Sequence, residues 1–169
     1  HQCVLFRSSY LSIPIQAELS RRNVPFIVFG GLKFYETAHV KDMMAHLKVL
    51  ANPKDELAWN RALMLIEGIG PKISGRILKE IFKCSYLSDI LEKVFHKYQK
   101  GYSYSEGLAR LETTLKNASD KNLGVGEKFE IVLNYYAPFL ENKFDDWHIR
   151  ENDLQTLRQI SMRYDSLED

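Results

Sequence analysis

Apolar positions recur along most of this chain at steps of three and four, the spacing that lines one face of an α-helix. Val40, Met44 and Leu47 form one such stripe, Trp59, Leu63 and Ile66 a second, and Ile73, Ile77 and Ile81 a third. Leu87, Ile90, Leu91, Val94, Phe95 and Tyr98 follow, then Leu108, Leu111 and Leu115, then Val125, Phe129, Val132, Leu133 and Tyr136. Leu154, Leu157 and Tyr164 mark a last stripe. Turn-forming residues at Asn52-Pro53, Gly68 to Pro71, Gly101 and Asn122 to Gly126 fall between the stripes. The opening has a different texture. Cys3 to Phe6 is a short apolar run of strand character, Ile15 and Leu19 predict a helix that closes at Asn23 before Val24-Pro25, and Phe26 to Phe29 reads as a buried strand ended by Gly30-Gly31. Strand, helix and strand in that order predict a right-handed βαβ unit. The expected fold is therefore mainly α: a bundle-like helical domain over 32–169, preceded by a short βαβ fragment over 1–31.

Composition narrows the classes. The 169 residues are 45% hydrophobic, 12% aromatic and 27% charged, enough apolar material for a core and far from a disordered composition. No apolar run approaches the roughly 20 residues needed to span a bilayer, so no membrane partner is expected. Lys and Arg total 23 against 22 Asp and Glu, and a formal charge of +1 leaves no whole-surface field to gather a polyanion. Any nucleic-acid binding must come from a local patch. Cys3 and Cys84 lack CxxC spacing, which argues against zinc and against a disulfide framework and points to a reducing, cytoplasmic compartment. The chain opens on His1 without a basic stretch ahead of its first apolar run, and no stop residue follows Leu167, so continuation at both ends is expected.

One connection carries a chemical message. Between Leu63 and Leu78 an apolar helix ends at Gly68-Ile69-Gly70 and another begins at once with Pro71, the pattern of a helix-hairpin-helix. Gly68 and Gly70 permit positive φ and close approach of a backbone, Ile69 can plug the hairpin, and Pro71 suits a first helical turn. The amides that open the second helix have no carbonyl partners and attract phosphate. Lys72, Arg76, Lys79 and Lys83 follow at steps of four, three and four, so they share one face while Ile73, Ile77 and Ile81 turn inward. This combination favours binding of the DNA backbone. The plain alternative is a structural corner with a solvated basic face, and Glu67 sets a negative charge beside the proposed pocket.

Catalytic constellations are scarce. No GxxxxGK[ST] loop is present to cradle a triphosphate. Asp145, Asp146, His148 and Glu151 form the densest titratable cluster, but neighbouring helical carboxylates point about 100° apart, so a solvated turn is expected rather than a metal site. His39 and His46 are spaced too widely for one ion, and Ser8-Ser9 lacks a nucleophile elbow. No catalytic residue, metal or cofactor is expected in the chain itself.

Taken together, Val4 to Ser8, Val24 to Glu36, Val40-Lys41-Asp42, Leu50 to Asp55 and Gly68-Ile69-Gly70 resemble, in order and spacing, superfamily-one DNA helicases of the UvrD/Rep/PcrA type. The likeness is dense over about the first 80 residues. It implies that residues up to about Gly31 end a stretch of the second RecA-like (2A) motor domain and that the rest is the helical 2B accessory region. The parent would be an ATP-dependent 3′ to 5′ helicase whose ATP and Mg sites lie outside this chain. Its partners would be duplex DNA, single-stranded DNA and the remaining helicase domains. The resemblance sets duplex contact on Gly68, Ile69, Gly70 and the following Lys72, Ile73, Arg76 and Lys79, and a single-strand path on Arg7 and Ser8. The pattern is broken at Ser9, Ile13 and Thr37, and Glu67 stands where Arg is usual. A reading from another class remains: a non-catalytic protein-interaction or regulatory helical module whose hairpin is only structural.

Overall fold

In the computed structural model, which describes residues 2–29 and 34–167, helices account for nearly all regular structure. A 3-10 turn at Ser9–Ser12 leads into α1 (Ile13–Arg21), and a second 3-10 turn at Phe34–Glu36 precedes α2 (Ala38–Ala51). Then come α3 (Glu56–Leu63), α4 (Pro71–Ile81), α5 (Leu87–Asp89), a π-helical stretch (Ile90–Phe95) and α6 (His96–Tyr98). The chain closes with α7 (Ser105–Ala118), α8 (Val125–Lys143) and α9 (Trp147–Ser161).

The βαβ unit is not formed. Its helix is present and ends as predicted, with Asn23 in the left-handed region at φ 53° just before Val24-Pro25. Its two strands are not: Cys3 to Phe6 and Phe26 to Phe29 carry no ladder among the described residues. A strand needs a neighbouring strand to take up its amides and carbonyls. Without one, side chains such as Leu5 at 90% exposure and Phe29 at 91% stay in water, while Phe26 and Val28 are half-buried. Gly30-Gly31, and with them the expected domain boundary, lie outside the described residues. The α1 stripe is also displaced, since Ile13 and Gln16 are buried while Ile15 is exposed. α1 packs against α9, and Gln16 Oε1 accepts from the Phe34 amide at 3.3 Å.

Two clusters make the core. The first joins Trp59 and Leu63 of α3, Ile77 and Ile81 of α4, Phe95 of the π stretch and Leu108, Leu111 and Leu115 of α7. The second joins Val40, Met43 and Leu47 of α2 to Phe129, Val132 and Tyr136 of α8 and Leu154 of α9. Met43 thus takes the inward position expected for Met44, which sits at the edge of the stripe. α8 runs through Pro138 to Lys143, beyond the last predicted apolar position, because Leu140 is buried and holds the extra turn on the core.

Polar links tie the helices where they cross. The buried Asp42 carboxylate accepts from Arg61 Nε at 2.6 Å on α3, and from Tyr136 Oη and Lys143 Nζ, both at 3.0 Å, on α8. His39 of α2 faces α9, with Nε2 3.2 Å from Asp153 Oδ2 and Nδ1 accepting from Arg150 Nη1 at 3.1 Å. His46 donates from Nδ1 to the Asp42 carbonyl at 2.8 Å. Its ring is fully buried against Tyr135 and Tyr136, and that burial pushes its pKa down to about 4.

Candidate nucleic-acid interface

The α3–α4 connection is built by side chains that vanish into the core and glycines that make room. Ile66 and Ile69 are buried beneath the turn, and the Ile66 and Ile69 amides close successive tight turns onto the Leu63 and Ile66 carbonyls at 3.1 and 3.0 Å. Gly68 adopts φ +87°, the conformation that favours glycine. A Cβ there would lie 2.8 Å from Ser103 Oγ, so the turn rests directly on the segment leading into α7. Gly107 completes the seat, because its Cβ would stand 2.4 Å from Ile66 Cγ2.

Gly70 differs from the expectation. Its φ of −95° and ψ of −179° are extended backbone open to any residue, and a Cβ there meets nothing within 4 Å. The space over Gly70 faces outward, at the residue that caps α4. Pro71 occupies the first turn of α4, and the Ile73 and Ser74 amides bond to the Gly70 carbonyl at 3.0 and 2.9 Å. The Gly70 and Lys72 amides find no backbone carbonyl among the described residues.

The basic face is there with one member engaged. Lys72, Arg76, Lys79 and Lys83 are all exposed. Lys83 pairs with Glu80 at 2.8 Å, and that bond raises the pKa of the lysine and lowers that of the glutamate. Lys72, Arg76 and Lys79 form no ion pair among the described residues, nor does the exposed Glu67. Ile73 is half-buried on the opposite side and packs on the core, so it could meet a ligand only through its backbone.

Three supporting features were not legible as functional. Ser74, fully buried, donates from Oγ to Asn60 Oδ1 at 2.6 Å and sets α4 against α3. Lys54 donates from Nζ to the Phe82 carbonyl at 3.1 Å and also to the Cys84 carbonyl, holding the far end of α4. Tyr102 and Tyr104 stack with centroids 5.0 Å apart and planes within 7°, beside the turn. Polar residues at single positions leave no periodic trace; only the alternation Tyr102-Ser103-Tyr104-Ser105 stands out in the sequence.

Arg7 and Ser8 do not join this site. Both are exposed in the irregular segment that enters α1, which is seated on α9, whereas the α3–α4 turn is seated on the α7 entry. Asp146, from the acidic cluster near α9, accepts from Arg150 Nε at 2.6 Å.

Residues 1–167 match the family described as the UvrD-like helicase C-terminal domain. The chain belongs to that family. Over 96% of its length this UvrD-like domain is 28% identical to the ATP-dependent DNA helicase PcrA of Leuconostoc citreum, of which it covers 23%. Over 41% of its length it is 34% identical to DNA helicase II of Haemophilus influenzae, and over 40% it is 32% identical to a PcrA of Staphylococcus epidermidis, covering 10% of each. The UvrD-like domain thus spans a quarter or less of these relatives. Among its described residues no helix is long and apolar enough to cross a membrane.

Proposed function

We propose that this chain is the 2B accessory region, with an adjoining piece of the 2A motor domain, of an ATP-dependent 3′ to 5′ DNA helicase. Its α3–α4 connection acts as a helix-hairpin-helix that holds the backbone of duplex DNA without reading sequence. ATP and Mg bind other parts of the parent, whose remaining domains are this region's partners. The carrying observation is the open space over Gly70, where the amides opening α4 lack carbonyl partners and Lys72, Arg76 and Lys79 stand unpaired. Unpaired amides and cations at a helix start are a ready phosphate site. The exposed Val4, Leu5, Ile27 and Phe29 support the motor-domain assignment, since a neighbouring sheet would cover them. Arg7 and Ser8 then belong to a separate single-strand path.

Titration of labelled duplexes of unrelated sequence at several salt concentrations tests the hairpin. Lys72→Ala removes one phosphate contact and should lower the slope of log affinity against log salt by about 0.9, equally for every duplex. Gly70→Val fills the outward space without strain in the fold and should also weaken binding, while Glu67→Arg should strengthen it. If Lys72→Ala and Gly70→Val stay folded by circular dichroism and bind with unchanged affinity and salt slope, the connection is only a corner.

A further inference from the structure

Beside the hairpin lies an aromatic surface that backbone gripping does not use. Tyr102 is 52% exposed, yet it is not a loose side chain. One face of its ring is stacked on Tyr104, which is buried. Its backbone is pinned by a reciprocal pair: the Tyr102 amide donates to Ser105 Oγ and the Ser105 amide to the Tyr102 carbonyl, both at 3.2 Å. The turn is reached through Gly101 at φ +79°. The ring is thus half-exposed while stacked on a buried neighbour and carried on a fixed turn.

Its position relates it to the phosphate site. A Cβ on Gly68 would strike Ser103 Oγ at 2.8 Å and touch Tyr104 Cβ at 3.6 Å. Gly70 is two chain steps from Gly68 and Tyr102 one step from Ser103, so at about 3.8 Å per step the ring's backbone lies within roughly 20 Å of the α4 amides. That is the span of the last few nucleotides of a strand, at about 3.4 Å per step. The charge of Arg76 also reaches this pair, working against the burial that raises the Tyr104 hydroxyl pKa.

We propose that Tyr102 is a stacking platform for an unpaired nucleobase at a duplex end, next to the phosphates held by the hairpin. This rests on the hairpin reading and names the form of duplex it favours: one with a terminus or junction rather than a continuous helix. Every base has a π-face, so the platform adds no sequence preference. A ring immobilised before binding loses little freedom on stacking, which favours its use as a contact. Tyr104 acts only as the positioning residue beneath it.

The test uses the 169-residue chain with a duplex bearing a short single-stranded overhang that carries 2-aminopurine at the junction, and a covalently closed circular duplex as the end-free probe. The chain should prefer the overhang duplex and quench the 2-aminopurine on binding. Tyr102→Ala should weaken overhang binding by about tenfold and abolish the quenching, with circle binding unchanged. Tyr102→Phe should retain both. Equal overhang affinity and quenching in wild type and Tyr102→Ala overturns the platform, as does an equal loss of overhang and circle binding in that variant. Circle binding that ignores Lys72→Ala, with Tyr102-dependent quenching intact, overturns the hairpin reading and leaves the platform standing. A folded chain that binds neither probe overturns both.

Discussion

At the scale of single residues, three glycines near one turn have three different reasons to be glycine. Gly68 is there for its φ of +87°, Gly107 for the methyl of Ile66, and Gly70 for nothing inside the fold. Alanine should separate them by chemical denaturation. Gly68→Ala forces a side chain into the left-handed region and should cost about 1–2 kcal/mol. Gly107→Ala drives a Cβ into Ile66 and should cost about 1–3 kcal/mol through overpacking. Gly70→Ala should leave stability unchanged or raise it by under about 1 kcal/mol, because it only restricts the unfolded chain. A destabilised Gly70→Ala would show that the turn needs this glycine for folding, and binding defects in Gly70→Val would lose their meaning. Asp42 is the opposite kind of residue, buried and held by three donors. Asp42→Ala strands Arg61, Lys143 and the Tyr136 hydroxyl together, and thermal or urea melts should record a loss of roughly 3 kcal/mol.

At the scale of elements, the helical body was legible because its signal is periodic. Stripes such as Leu108, Leu111 and Leu115 repeat the helical step and are buried as expected. The turn between α3 and α4 was legible from Gly68 and Pro71, whose backbone requirements are local. Three things were not. The opening strands failed because a strand is defined by a neighbour, and Leu5 and Phe29 find no sheet here. The inward choice of Met43 over Met44 depends on where α8 lies, which the spacing within α2 does not record. The passage of α8 through Pro138 runs against local propensity and is decided by the burial of Leu140. Within the candidate site the basic stripe was visible as a set of four, but the pairing of Lys83 with Glu80 depends on rotamers. The seat under the turn, made by Ser103 and Gly107, joins residues some 35 to 40 apart in sequence and leaves no local pattern.

At the scale of the whole molecule, stability should depend on acidity through the buried His46. In the folded state its pKa is about 4, against 6.5 ordinarily, because burial disfavours the charged ring. Between those values the unfolded chain binds a proton that the folded chain refuses, so stability falls as pH drops from 6.5 to 4 and levels below. At about 1.4 kcal/mol per pH unit the full loss is roughly 3 kcal/mol. His46→Gln should flatten that part of the curve in a series of urea melts; a parallel curve would mean that the ring is not held neutral. The hydrogen bonds of Lys54 to the carbonyls at the end of α4 have an effect at the other end of the helix. A helix is an electric dipole, positive at its start and negative at its finish, and seen from afar the two poles nearly cancel. With the ammonium of Lys54 grounding the negative pole, the positive pole at Gly70 is left without its opposite. An anion within about a turn of Gly70 then feels that pole without the opposing pull from the far end, over a reach that salt limits to about 10 Å at 0.1 M.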